Sequence, residues 1–360
     1  MLKTGRLARV LIAQVLFASG ALKRRARSRF RRTPMVLAYH RIIDDTSCCA
    51  SCSYPHLHVS PRHFEQHVAF LSSFFEITTD WHKPDVKNNG GKKPRCIITF
   101  DDGWRDNYIT ALPILKRYGA RAVVFATTNF IETQQVHWTH KLLALLRQHP
   151  LSIIEKLKAF GLCEHAARSS SPVARLHFFF NQINKLPWNR RQKAVREIER
   201  LFSDSHISFC GHRQFISWNE AREMTADGTI LMGSHTVMHE PLTLLPFRLR
   251  RAELIRSRRI LADTINSRIN AMAFPHNLYD SESVTEVRRS GYAAAFGGRM
   301  DKSAPRYMAD GFCLLPRINV TSRIYLAGGQ TFSRALFLSH ICGMFPSMPL
   351  PVAGAQRSTE

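Results

Sequence analysis

Short apolar runs recur along the chain, and most of them end in polar or charged positions. "MVLAYHRI" (35–42) is the first and reads as a buried strand. "RCIITF" (95–100), "ARAVVFATT" (120–128), "TILMGSHT" (229–236), "AMAFP" (271–275), "YAAAFG" (292–297) and "CLLPRINV" (313–320) have the same character. Between them the apolar positions space out to a helical period. "SPRHFEQHVAFLSSFF" predicts a helix capped by Ser60, with Pro61 in its first turn and Phe64, Val68 and Leu71 on one face. A second helix is predicted over 107–118 with a stop at Gly119, a long basic one over 247–265, and another over 281–291. The alternation argues for parallel βα units, six to eight of them, closed into a complete or distorted barrel.

The rhythm breaks between about 130 and 226. "HKLLALLRQH", "LSIIEKLKAF" and "RRQKAVREIERLF" are helical in pattern, with a polar break at "ARSSSPVA". This stretch is read as a helical insertion in a barrel spanning 34–322. A basic segment over 1–33 precedes the barrel, and a C-terminal tail over 323–360 follows it.

Charge changes the picture of the partner. Over 360 residues the formal net charge is +24, which favours an anionic partner and says nothing of fold. Ten basic residues and no acid lie in 1–32, flanking the apolar stretch "VLIAQVLFASGAL" (10–22). That stretch is short for a transmembrane helix. It resembles a signal-peptide core, but "KRRARSRFRR" follows at once, and positive flanks stay cytoplasmic. The segment is therefore expected to lie on an anionic membrane surface at the cytoplasmic face of the inner membrane, or the protein to lie in the cytoplasm, with export or an outside anchor as the alternative. No RNA-binding module signature accompanies the charge, so no specific nucleic-acid partner is expected. The eight cysteines are scattered, as in a chain of reduced, buried thiols. "CCASCSYPHLH" holds one CxxC (Cys49 and Cys52, after Cys48) near His56 and His58, a spacing that fits no standard zinc pattern.

The chemistry gathers at the strand ends: His40, Asp101 with Asp102, His235 with His239, His276, and Arg317. In a parallel barrel all of these face one rim. His235 and His239 can reach one ion, with Asp102 as the third ligand. Two imidazoles and a carboxylate leave open positions, as a catalytic centre requires, and such an ion lowers the pKa of water and polarises a carbonyl. Adjacent carboxylates on an extended backbone point apart. One can therefore bind metal while the other serves as general base. "DDG" alone is ordinary turn chemistry, and a lone HxxxH is often two surface histidines. Both at the ends of successive strands are harder to explain that way.

"TFDDG" (99–103) and "SHTVMH" (234–239), with "NYITALPILKRYGARAVVFATTNFI" between the two motifs, resemble the polysaccharide deacetylases, the NodB-homology carbohydrate esterases. The resemblance covers roughly 34–130 and 227–320. It implies a distorted (β/α) barrel and metal-dependent removal of N-acetyl groups from amino sugars of a polysaccharide, oligosaccharide or lipid-linked glycan. The metal would be zinc, or else cobalt, nickel or iron. Carried over, Asp101 is the general base, and Asp102, His235 and His239 are the metal ligands. The family's third motif usually has an arginine beside proline, where this chain has "AFPHN"; its Asp-Trp fourth motif is not visible near "AAAFGGRMDK"; and "LPRINV" lacks the usual acid histidine. One permuted branch begins with a strand like "VLAYHRI", which makes His40 the general-acid candidate, standing across the rim from Asp101. His276 is the alternative acid or a substrate contact. Arg317 either holds Asp101 ionised, forms a plain salt bridge, or meets substrate. Trp104 and Trp138 either stack on a sugar or belong to the core. Alternative functions are the same chemistry on a formyl group or ester, and an inactive module that binds glycan or membrane.

Overall fold

The computed structural model describes residues 2–47, 50, 53–82, 93–162, 171–207, 209, 211–299, 304–321, 326–327 and 331–344. Seven strands form its centre: β1 (Met35–Tyr39), β2 (Arg95–Asp102), β3 (Ala122–Ala126), β4 (Ile230–Ser234), β5 (Ala271–Ala273), β6 (Ala294–Arg299) and β7 (Cys313–Asn319). Each pairs in parallel with the next in chain order. β7 returns to β1 through Leu37 opposite Ile318 and Ala38 opposite Asn319, which closes the ring. The parallel, seven-stranded closed barrel agrees with the sequence expectation. Its C-terminal strand ends all face one rim.

Strand alternation divides the apolar residues into two layers. Val36, Ile97, Val123, Phe125, Phe296 and Leu315 fill the barrel interior. Leu37, Tyr39, Ile98 and Phe100 pack outward against the helices. The interior is narrow, so small residues stand opposite large ones. Gly233 of β4 lies in register with Phe125, and a Cβ there would come within 2.5 Å of the Phe125 ring and 3.0 Å of the Ala271 carbonyl oxygen.

Two helices precede the barrel, α1 (Leu2–Ala18) and α2 (Ala21–Arg29), joined at Gly20 with φ +74°. The helix α3 (Pro61–Phe74) starts at Ser60, whose hydroxyl accepts from the His63 amide, and buries Phe64, Val68 and Leu71 as its spacing predicts. A π-turn over Asn107–Ala111 runs into α4 (Leu112–Arg117). Then come α5 (Trp138–Gln148), α6 (Pro150–Lys158), α7 (Pro172–Lys185) and α8 (Trp188–Asp204), which share a core of their own around Leu142, Leu146, Leu176, Phe179 and Ile198. The polar break at "ARSSSPVA" ends in a helix start, since the Ser171 hydroxyl caps α7. The next helix, α9 (Trp218–Thr225), falls inside the expected insertion but buries Ala221 and Met224 in the core around the barrel. The chain continues with α10 (Phe247–Ile265) and α11 (Ser281–Arg289), and closes its described part with α12 (Arg334–Ile341).

Near both chain ends, described residues pack against the barrel. Leu22, Ala26 and Phe30 recur every fourth residue and enter the barrel's outer core, along with Phe337, Leu338 and Ile341 of α12. Arg25 and Arg29 donate to the Cys342 carbonyl. The basic block thus hides an apolar stripe that joins both ends. Cys96, Cys313 and Cys342 are free and buried. Cys48, Cys49 and Cys52 lie outside the described residues, and His58 bonds Ser53 and Asp45 instead.

Replacing Gly233 by alanine overpacks the interior against a ring and a backbone carbonyl. Urea denaturation is expected to show a loss of about 1–3 kcal/mol; an unchanged midpoint would contradict the packing described.

Candidate active site

β2 carries both carboxylates to the rim. Ile97, Thr99 and Asp101 point alike, so Asp101 ends the interior row, where it is 2% exposed. An unpaired carboxylate buried there would be forced neutral. Arg317 of β7 prevents that. It reaches across β1 and donates to both Asp101 oxygens, Nη1 to Oδ1 at 2.6 Å and Nη2 to Oδ2 at 2.8 Å. The guanidinium also donates to Asn277 Oδ1 at 2.7 and 3.2 Å. Burial alone would raise the Asp101 pKa. The Arg317 charge, helped by His235 and His40, holds it below the ordinary value. Arg317 is itself buried, and this bidentate pairing leaves it no role as a substrate contact.

In a regular strand Asp102 would face outward like Phe100. Its φ of +73° turns the chain, and Gly103 follows at φ +81°. Trp104 Nε1 donates to Asp102 Oδ2 at 2.8 Å. The other oxygen, Oδ1, is buried and accepts no hydrogen bond. Around it lie His239 Nε2 at 3.1 Å and His235 Nε2 at 3.6 Å. The three donor atoms lie within 4.8 Å of one another.

Both histidines are held by their neighbours. His235 follows β4, and its Nδ1 donates to the Ala273 carbonyl at 2.8 Å. That bond leaves the lone pair on Nε2, directed to Asp102, which is the usual device for orienting a metal-binding imidazole. Burial, opposed by Asp101, lowers its pKa to about 4, so the ring is neutral. His239 sits at φ +60° in a loop whose Val237 and Met238 amides donate to Glu253 Oε2 of α10 at 2.8 and 2.9 Å. Burial would lower the His239 pKa, but Asp102 outweighs it and the net direction is up. For Asp102 burial works upward, and His239 holds the carboxyl well below its ordinary value. An orphaned carboxylate oxygen between two imidazole nitrogens fits a divalent cation of the zinc type.

His40 follows β1, with its side chain 20% exposed and Nε2 3.7 Å from Asp101 Oδ2. It stands beside Asp101 and not across the rim, because β1 pairs directly with β2, Tyr39 opposite Phe100. The Asn107 side chain donates to its carbonyl at 2.9 Å.

Trp104 is 0% exposed. It cannot stack on a sugar; its indole orients Asp102. Arg41, beside His40 in "YHRI", lies 4.2 Å over the Trp104 ring, and its Nε donates to Asp106 Oδ2 at 2.9 Å. Arg41 and Asp106 therefore steady the indole, a role the run of motif residues did not suggest. Trp138 is also buried, stacked on Phe180 at 5.9 Å in the insertion core. His276 lies in the turn after β5, its ring 4.7 Å from that of His239. Sequence reading missed His137. It precedes α5, and the insertion brings its ring 5.0 Å from that of His239. The signal was the "VHWTH" stretch, with two histidines flanking a buried tryptophan. Arg191 of α8 ties the insertion to this rim through Glu240 at 2.5 Å. His137 and His276 are both kept neutral, first by burial and then by His239.

Comparison with known proteins places this geometry. YxkH of Bacillus subtilis strain 168, named as a polysaccharide deacetylase, is 32% identical over 141 residues, 37% of this chain and 47% of its own. The aligned part is thus about half of that relative's length. Among solved structures, the Streptococcus pyogenes deacetylase PplD in complex with acetate superposes with a TM-score of 0.50 at 17% identity, covering 81% of this chain and 94% of that one. A polysaccharide deacetylase from Bacillus cereus also gives 0.50, at 16% identity over 86% and 69%. At such identities these structures speak for the barrel fold alone. Residues 88–295, more than half of the chain and including both "TFDDG" and "SHTVMH", match the polysaccharide deacetylase family, and the chain belongs to that family.

Proposed function

We propose that the protein is a metal-dependent N-deacetylase acting on an N-acetylated amino sugar of a polysaccharide, oligosaccharide or lipid-linked glycan. The observation that carries this reading is the buried, unpartnered Asp102 Oδ1 facing His235 and His239 next to an ionised Asp101. Asp102, His235 and His239 would hold the ion. When bound, it supplies a Lewis acid that polarises the acetamide carbonyl and acidifies water. Asp101, kept ionised by Arg317, accepts the proton of the attacking water. His40 lies beside it at the open edge of the rim and delivers a proton to the departing amine. Asn277 fixes the Arg317 fork, and Trp104 holds Asp102 Oδ2, which leaves Oδ1 turned to His235 and His239.

The division of labour gives an asymmetry. Asp102→Asn is expected to lose the ion it would hold with His235 and His239, whereas Asp101→Asn keeps it and loses turnover by about 100-fold or more. Metal analysis and acetate release on both variants measure this, and equal metal loss in the two would overturn the assignment.

Arg317 gives a pH test. Asp101 works ionised, and Arg317 lowers its pKa. Without the guanidinium only His235 and His40 oppose burial, and the pKa rises. In Arg317→Met the acid limb of the kcat/KM profile should therefore move to higher pH, with activity partly recovered on the alkaline side. A profile lowered uniformly, with its acid limb in place, would contradict the role.

For location, we propose that α1 lies on an anionic membrane surface. Ala13 packs against Ala335 and Leu336, while Leu7, Leu11 and Val15, one row at every fourth residue, are 65%, 54% and 67% exposed beside Ile12 at 49%. An apolar row flanked by arginines suits an interfacial helix. Among the described residues no helix is long and apolar enough to cross a membrane. Co-sedimentation should show binding to vesicles containing phosphatidylglycerol, weak binding to neutral ones, and a clear loss in Leu11→Asp with Val15→Asp. Binding unaffected by the double change would contradict it.

A further inference from the structure

His239 belongs to two groups of donor atoms. One is Asp102, His235 and His239. The other is His137, His239 and His276, whose ligand atoms also lie within 4.8 Å of one another. The proposed deacetylation uses only the first group.

The second group is built from three separate elements. His137 comes from the loop before α5 and is 6% exposed. His239 comes from the loop after β4. His276 sits at φ +56° in the turn after β5. Their rings are 4.7 Å (His239–His276), 5.0 Å (His137–His239) and 5.9 Å (His137–His276) apart. His137 is oriented by the contact of its Nδ1 with Thr139 Oγ1 at 2.9 Å. Its Nε2 is buried without a hydrogen-bond partner, and so are His276 Nε2 and His239 Nδ1.

Such nitrogens are costly to leave unmet, because each has given up its hydrogen bonds to water. A metal-binding imidazole normally has its second nitrogen on a carbonyl or carboxylate, as His235 does. His239 has no such partner; its neighbours on that side are two more imidazoles. The nearby positive charge of Arg191 is balanced by Glu240 and held by Asn184 Oδ1 at 3.2 Å. Phe180 shelters the group, its ring 4.9 Å from that of His276.

We propose that His137, His239 and His276 bind a second divalent transition-metal ion beside the first, with His239 shared between the two as an imidazolate whose ring proton would be released to solvent when both ions bind. An all-imidazole donor set selects zinc, copper, cobalt or nickel over magnesium or calcium. The second ion lies on the insertion side of the rim, where it can hold an oxygen of the incoming substrate. The helical insertion thereby supplies a ligand and serves as more than a cover. This inference rests on the metal-dependent reading of the first group.

The test is metal stoichiometry of the full chain after equilibration with zinc and removal of the excess. The wild type should hold two equivalents, and His137→Ala, His276→Ala and Asp102→Asn one each. Thermal unfolding guards against a variant that merely misfolds: added zinc should still raise the Tm of Asp102→Asn and should no longer do so once His137→Ala is combined with it. A wild type that holds one equivalent overturns the two-ion arrangement. If that equivalent is lost in Asp102→Asn and kept in His137→Ala, the deacetylase reading stands without it. No bound zinc in the wild type overturns both.

Discussion

A guanidinium buried under the rim sets the terms for everything above it. Taking the Asp101 carboxylate and the Arg317 guanidinium out of water costs several kcal/mol per ion, and only a well-made pair offsets that cost. Here the pair is bidentate, Asn277 satisfies more of the guanidinium, and the two partners come from strands separated by β1. The pair fixes the approach of β2 and β7 across the barrel interior. It also leaves a carboxylate ionised in a place where burial alone would protonate it. That combination leaves an ionised carboxylate next to the Asp102, His235 and His239 cluster without making it part of that cluster.

The site is also where the backbone is least relaxed. Asp102, Thr236, His239, His276 and Asn277 all have positive φ, five of the eight non-glycine residues in that region among those described. Each such residue costs about 1–3 kcal/mol, and such strain persists only where surrounding structure over-determines it. The restraints are visible. Trp104, clamped under Arg41, holds Asp102. Glu253 holds the loop of His239 through two amides. Arg317 holds Asn277. The side chains that hold the rim are thus as specific as those that would do the chemistry.

Much of this was legible in the chain. The seven strands follow the apolar runs, α10 begins and ends where the periodicity places it, and the strand-end residues do converge on one rim. Convergence is readable because parallel strands send all their C-terminal ends to the same side. What was not readable depends on contacts distant in sequence. Nothing local to "YHRI" says that His40 neighbours Asp101; the β1–β2 pairing does. An exposed aromatic beside an acid suggests a sugar platform, but Trp104 is sealed under Arg41 and Phe215. His137 looked like an insertion residue, but its ring stands 5.0 Å from that of His239, and Arg191 of α8 pairs with Glu240 at the same rim. The arginines of α2 masked the Leu22–Ala26–Phe30 stripe that packs against the core.

The central claim is that this rim uses a bound cation to hydrolyse an acetamide on a sugar. Acetate and amine release from a panel of N-acetylated oligosaccharides and polysaccharides, before and after chelation and after returning zinc, cobalt or nickel, tests it directly. The account predicts release from at least one glycan, abolished by the chelator and restored by a divalent metal. Release that survives complete chelation, or no release with any metal on any glycan, would contradict it.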